Sequence, residues 1–219
     1  MPTRLAAAAL LCWTLAVCPP AAADEPAMPG PAPPAADAPP DFFDTRISER
    51  RILLVLDHSK SMQSSLDGQT RLARLRDECD RLFERLDEYH YLDVHCFNDH
   101  LAVWRRKLEP CSDEALAAAR EFIHAQLARG RTATYDALQS ALVEGFDEGV
   151  QRIIFVTDGE PTVGTVVNPA AILRRLKVQN ARTKIPIDVI AFDTAHHPAR
   201  AAFLRRLAAD HDGRFVPLD

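Results

Sequence analysis

Ile52-Leu53-Leu54-Val55-Leu56 runs without a break into Asp57-His58-Ser59-Lys60-Ser61. An aliphatic run with no polar alternation reads as a strand buried on both faces, the mark of a parallel sheet covered by helices on either side. Ligands of such sheets gather at the carboxyl ends of the strands. Here that end receives one carboxylate and two hydroxyls at single-residue alternation, a set of oxygen donors suited to a hard cation. Later in the chain, Arg152-Ile153-Ile154-Phe155-Val156 runs into Thr157-Asp158-Gly159 in the same manner. Two strands are therefore expected to end in Asp on one edge of one sheet.

The elements between and beyond them follow from periodicity and punctuation. After a first strand over 51–57, Leu72, Leu75, Cys79, Leu82 and Leu86 recur at helical spacing, which predicts an amphipathic helix from Arg71 to Leu86. Tyr91 to Phe97 alternates, and Leu101 to Trp104 follows the polar turn Asn98-Asp99-His100, so a hairpin is expected. Ser112-Asp113-Glu114 caps a helix predicted to run to about Arg129, before Gly130. Further helices are expected from Thr134 to about Asp147, from Pro169 behind the capping Asn168 to Asn180, and from Pro198 to Ala209. Strands are expected at 152–157, 185–192 and 214–217. The alternation predicts an α/β fold: a doubly wound, mostly parallel six-stranded sheet with one antiparallel edge strand and helices on both faces. In the 3-2-1-4-5-6 strand order common to such sheets, the first and fourth strands flank the switch point, which brings Asp57 and Asp158 together.

Upstream of the folded region, Arg4, an apolar stretch from Leu5 to Cys18 and Ala21-Ala22-Ala23 before Asp24-Glu25 read as a secretory signal peptide over 1–23. The stretch is short for a membrane span, and Pro19-Pro20 closes it. Cys18 follows Val17 rather than a small residue, so lipidation there is a minor alternative, and membrane association is expected only with it. Residues 24–41 (DEPAMPGPAPPAADAPPD) read as a Pro/Ala-rich spacer without enough apolar surface to fold. Residues 42–219 suffice for one α/β domain, expected to be exported to the periplasm or secreted. A net charge of −5 and the lack of a basic block argue against nucleic acid as a partner. Arg174-Arg175 and Arg205-Arg206 read as solvated helix faces. Of the cysteines beyond the leader, Cys79, Cys96 and Cys111, the first two fall on apolar faces and read as buried small hydrophobes, with one disulfide as the alternative that export permits.

Three loops carry the candidate chemistry. The first holds Asp57, Ser59 and Ser61, the second is Gly130-Arg131-Thr132-Ala133-Thr134, and the third holds Asp158 and Gly159. In this arrangement the sequence resembles the von Willebrand factor type A domain, whose metal-ion-dependent adhesion site combines Asp-x-Ser-x-Ser with a Thr and an Asp from two later loops. The resemblance covers essentially all of the folded part. Thr157-Asp158-Gly159-Glu160-Pro161-Thr162-Val163-Gly164 is similar, more particularly, to the type A domains of inter-α-trypsin inhibitor heavy chains and related bacterial exported proteins. The resemblance implies a site for Mg²⁺, or Mn²⁺ or Ca²⁺, in which Ser59 and Ser61 bind the ion directly and Thr132 does so directly or through water. Asp57 and Asp158 then act mainly through water or hydrogen bonds. Neutral hydroxyls leave the ion's charge under-compensated, and in the family an Asp or Glu of a protein partner fills the open position.

Taken one at a time, the same residues also read as turn chemistry, with Asp57 and Ser59 capping a turn and Asp158 opening one with Gly159. Lys60 and Arg131 stand where the family most often has Gly, and their places in the motif point them away from the ion. His58 and Asp99 read as solvated loop residues at the rim. His90, His95, His196 and His197 show no zinc spacing and read as surface or capping residues. The functional expectation is an exported, non-enzymatic module that engages an acidic residue of a protein partner through the cation, with no small-molecule substrate. The alternatives are a structural domain with a vestigial metal site and a metal-assisted hydrolase, which lacks a dedicated general base beside the ion.

Overall fold

The computed structural model describes residues 39–219. The segment read as a signal peptide and most of the Pro/Ala-rich spacer lie outside the described residues. Strands β1 (Arg51–Asp57), β2 (Tyr91–Phe97), β3 (Leu101–Val103), β4 (Arg152–Thr157), β5 (Ile187–Phe192) and β6 (Phe215–Leu218) form one sheet. Their order is β6-β5-β4-β1-β2-β3, the expected 3-2-1-4-5-6 read from the other edge. Every pairing along this path is parallel except β2 with β3. A seventh strand, Glu109–Pro110, pairs antiparallel with the start of β2 and was not anticipated. Proline is compatible with a short edge segment, which is why composition did not announce it.

The aliphatic run of β1 divides its side chains between two cores. Ile52, Leu54 and Leu56 join one core with Leu72, Leu75, Cys79 and Leu82 of α1 (Arg71–Phe83) and Leu116, Ala119 and Ile123 of α2 (Asp113–Ala125). Leu53 and Val55 join the other, with α3 (Thr134–Glu148), α4 (Pro169–Gln179) and α5 (Pro198–Asp210). This double burial is what an uninterrupted apolar strand requires. Phe42 and Phe43 close one end of the first core, Phe43 packing edge-on to Phe192 at 5.7 Å between ring centroids. Cys79, Cys96 and Cys111 are all free and buried, so the apolar reading holds and no bridge forms.

Ser112 and Asn168 cap their helices as expected, and Thr70 caps α1 in the same way. Thr70, Ser112 and Asn168 each accept a hydrogen bond from the backbone N–H three residues on, at 3.1, 3.2 and 3.0 Å. Gly149 ends α3 in the left-handed conformation, φ 65°, where a side chain would be strained. Two helices stop earlier than their periodicity suggested. α1 ends at Phe83, although Leu86 beyond it is still buried. α2 ends at Ala125 rather than near Arg129, because residues 126–130 are bound to the loop after β1. Gln63 Nε2 donates to the Ala128 carbonyl at 2.7 Å, Arg129 N to the His58 carbonyl at 2.9 Å, and Lys60 N to the Gly130 carbonyl at 3.2 Å. Arg76 of α1 caps the freed end by donating to the Gln126 carbonyl at 2.5 Å. Among the described residues no helix is long and apolar enough to cross a membrane.

Leu54 lies at the centre of the sheet between Val94 and Ile154 and has no solvent exposure. Leu54→Ala is expected to lower the unfolding free energy by about 2–5 kcal/mol in urea titrations. Val178→Ala, at a side chain 73% exposed, should change it by less than about 0.5 kcal/mol.

Candidate functional site

The register of the central strands sets the site. Leu56 of β1 lies opposite Val156 of β4, so Asp57 and Asp158 leave the tops of adjacent strands one step apart. Both are fully buried. Asp57 accepts hydrogen bonds from Ser59 N through Oδ1 at 2.7 Å and from Thr157 Oγ1 through Oδ2 at 2.6 Å. The Thr157 hydroxyl in turn accepts from Gly159 N at 3.1 Å. Asp57 thereby ties the first loop to the third. Ser59 Oγ lies 3.0 Å from Ser61 Oγ, and Ser61 Oγ donates to Asp158 Oδ1 at 2.7 Å.

Thr132 enters from the second loop. Its N–H donates to Thr162 Oγ1 at 3.1 Å, its carbonyl accepts from Thr162 N at 3.0 Å, and its hydroxyl lies 3.0 Å from the point a Cβ on Gly159 would take. The three loops thus meet: hydrogen bonds connect Asp57 with Ser59 and Ser61 with Ser59 and Asp158, and Thr132 lies against Gly159, the residue after Asp158. Gly130, at the start of the second loop, has φ +71°, and a Cβ there would come within 2.2 Å of Asp99 Oδ1. The left-handed backbone favours glycine there, and any side chain would also have to push the exposed Asp99 carboxylate aside. Lys60, Ser61 and Arg131 are exposed, so the cluster opens to solvent at Ser61, and the two cations lie on its rim as expected.

His58 corrects an expectation. It is buried rather than solvated, with Nδ1 3.2 Å from the Leu56 carbonyl, and burial pushes it down to about 4. Its backbone explains the burial: His58 N donates to the Phe97 carbonyl at 2.7 Å while its own carbonyl accepts from Arg129. The residue is held beneath the loop from both sides.

Arg71 is the site residue that sequence reasoning missed. It is buried, and it donates from Nη1 to Asp158 Oδ2 and from Nη2 to Asp193 Oδ2, both at 2.6 Å. Asp193 follows β5 with φ +53° and also bonds His196 at 2.7 Å. The bond to His196 and the charges of Arg71 and Arg200 hold its carboxyl below the usual range. The available signal was a mismatch: Arg71 is the first residue of α1, where the helix dipole disfavours a cation. A cation in that place needs carboxylates of its own, and here it has two.

The electrostatics favour an ion. Burial, and after it the charge of Asp158, push Asp57 up to about 7. Arg71 contacts Asp158 and the half-buried Asp193 but not Asp57, whose hydrogen bonds come from a backbone N–H and a hydroxyl, so the cluster keeps a carboxylate without a cationic contact among hydroxyl oxygens. That donor set fits a hard divalent cation.

His95 corrects a second expectation. It is neither a surface nor a capping residue but lies in mid-strand in β2, without exposure, its Nε2 2.9 Å from Glu144 Oε2 of α3. Asp93 shares that strand face, and burial together with the Glu144 carboxyl pushes it up to about 7. The alternation of β2 suggested one solvated face, but α3 covers it. His90 and His196 do serve as local partners, bonding Asp87 at 2.6 Å and Asp193 at 2.7 Å.

Comparison with known proteins agrees with the fold. A family model described as the von Willebrand factor type A domain matches residues 52–160. The chain is 30% identical to inter-alpha-trypsin inhibitor heavy chain H4 of Homo sapiens over 174 residues, 75% of this chain and 18% of that protein. It is 28% identical to the Bos taurus H4 chain over 184 residues, 80% of this chain and 19% of that protein. It therefore spans about a fifth of the length of these curated relatives. Among solved structures, "von Willebrand factor type A from Catenulispora acidiphila" superposes with a TM-score of 0.63 at 19% identity, covering 80% of this chain and 39% of that one.

Two variants test the electrostatics. Asp57 binds its proton more tightly folded than unfolded, so its contribution to stability is complete below its ordinary 3.8 and is lost as the pH rises through about 7. In chelator-treated protein, Asp57→Asn should therefore gain stability relative to the parent between pH 5 and pH 8, measured by urea titration at each pH. Arg71→Met leaves Asp158 buried without its partner and should cost about 3–5 kcal/mol, a loss that added Mg²⁺ partly restores in thermal melts.

Proposed function

Because this chain is a von Willebrand factor type A domain protein, we propose that it is an exported, non-enzymatic binding module that engages an acidic residue of a protein partner through a divalent cation. Mg²⁺ is the preferred ion, with Mn²⁺ or Ca²⁺ as substitutes. The observation that carries this reading is the chain of contacts from Ser59 Oγ to Ser61 Oγ to Asp158 Oδ1, which reaches solvent at its middle member, the exposed Ser61. When bound, the cation supplies an open coordination position to a carboxylate of the partner.

The chain's own residues divide the remaining work. Ser59, Ser61 and Thr132 present neutral oxygens, so the ligand set itself adds little negative charge. Asp57 and Asp158 orient the first loop, and Arg71 offsets part of the Asp158 charge. A cation held this way keeps its attraction for an external carboxylate. Lys60 and Arg131, exposed beside the opening, attract acidic partners and repel basic ones. The leader expected at 1–23 supports a partner outside the cytoplasm.

A hydrolase is less well supported. Both oxygens of Asp57 and both of Asp158 are engaged in hydrogen bonds, so neither carboxylate is free to act as a general base. A second reading does have an observation in its favour. The 2.6 Å contact between Arg71 and Asp158 allows the guanidinium to serve as the site's permanent cation in a purely structural domain.

Thermal unfolding with and without Mg²⁺ separates the two. A working site at 100-fold Mg²⁺ over its dissociation constant adds about 2.7 kcal/mol, a rise of several degrees that Ser59→Ala and Ser61→Ala should abolish without loss of helical content. Proteins captured from an envelope extract should include acidic-loop ligands retained with Mg²⁺ and released by chelator. An absence of any Mg²⁺ response in the parent protein leaves the structural reading standing.

A further inference from the structure

We propose that Asp93 and His95 of β2, together with Glu144 of α3, form a second, buried metal site, separate from the loop cluster, that takes Zn²⁺. One ligand atom from each of the three residues lies within 4.8 Å of the others. His95 and Asp93 pair with Val55 and Leu53, two and four positions before Asp57 on β1. At about 3.3 Å per residue they lie roughly 7 and 13 Å down the sheet from the loops.

Unmet bonding marks the site. Asp93 Oδ2, His95 Nδ1 and Glu144 Oε1 are each buried without a hydrogen-bond partner. Asp93 Oδ1 is fixed by Val94 N at 2.7 Å and Arg105 N at 3.0 Å, which leaves Oδ2 as its idle oxygen. Ionised carboxylates only accept hydrogen bonds, so two of them side by side, with no donor between, require a cation or a shared proton. Buried polar atoms are rarely left unpaired, and the idle oxygens of Asp93 and Glu144 beside the His95 ring form a group that a bound ion could complete.

The chemistry of the set selects the metal. An imidazole nitrogen with two carboxylate oxygens suits Zn²⁺ better than Mg²⁺ or Ca²⁺, which take oxygen alone. Zinc bonds of about 2.0–2.2 Å in a tetrahedron place donor atoms about 3.3–3.6 Å apart. One donor atom of each residue lies within 4.8 Å of the others, so the set has to close by about an ångström, which the partly buried Glu144 can supply by turning its side chain. Two carboxylates and a neutral imidazole around Zn²⁺ sum to zero charge, the state that burial favours. Glu144 is only partly buried, so the cluster lies close to the surface on the α3 side. The other charge acting there is Arg106, which draws on Glu144 from an exposed turn and can swing away.

The test uses the untagged, chelator-stripped chain, titrated with Zn²⁺ while millimolar Mg²⁺ occupies the loop cluster. One equivalent of Zn²⁺ should be retained on gel filtration, and Co²⁺ in its place should show the visible absorption of a nitrogen-containing tetrahedral site. His95→Gln and Glu144→Gln should each weaken Zn²⁺ binding at least tenfold, whereas Ser59→Ala should leave it unchanged. Should His95→Gln not fold, Glu144→Gln, at a partly exposed helix position, gives the same reading. The proposal is overturned if no Zn²⁺ is retained, if Glu144→Gln binds it as tightly as the parent, or if Ser59→Ala alone removes it.

Discussion

Two carboxylates, Asp57 and Asp158, lie fully buried at the ends of adjacent parallel strands, and the surrounding structure is arranged to make that placement tolerable. Charge taken out of water must be paired or hydrogen-bonded. Asp57 is satisfied locally, by a backbone N–H of its own loop and a hydroxyl of the neighbouring strand. Asp158 is satisfied at a distance, by Ser61 of the first loop and Arg71 of α1. Each solution ties an element to the strand ends, so the loops are positioned by the same bonds that keep the carboxylates in place.

Arg71 extends this constraint to the far side of the site. Its second nitrogen engages Asp193 at the end of β5, and Arg200 of α5 bonds the carbonyls of Phe192 and Asp193. Strand ends β1, β4 and β5 are therefore connected through one guanidinium and its carboxylates. Asp193 has a positive φ where the chain leaves the sheet, and its carboxylate accepts from Arg71 there.

Asp57, Ser59, Ser61, Thr132 and Asp158 could be read from the sequence because two of the requirements that place them are local or topological. An apolar run ending in Asp marks the strand end, and the strand order fixes which ends are neighbours. Arg71, His58 and His95 were not legible for the opposite reason. Arg71 is explained only by acids far along the chain, one of them on the third loop and the other beyond β5. His58 is inside the motif, but its environment is set by residues 97 and 129, and the departure of 126–130 from helical geometry depends on hydrogen bonds to the first loop. His95 was misjudged because alternation in a strand reports which side chains share a face, not whether a helix covers it. Only the packing of α3 on β2 decided that.

The brace formed by residues 126–130 bears on how rigid the site is. Its three bonds, to His58, Lys60 and Gln63, span the whole first loop, while Arg76 anchors its start to α1. Ser59 and Ser61 are thus held between Asp57 and Asp158 below and an extended segment alongside. Loops fixed at this many points lose little freedom when they bind, so the ordering cost that usually offsets recognition is met during folding. On the proposed cation-dependent reading, hydroxyls preassembled in this way would direct their interaction energy to the partner's carboxylate, and discrimination between partners would fall to the exposed Lys60 and Arg131.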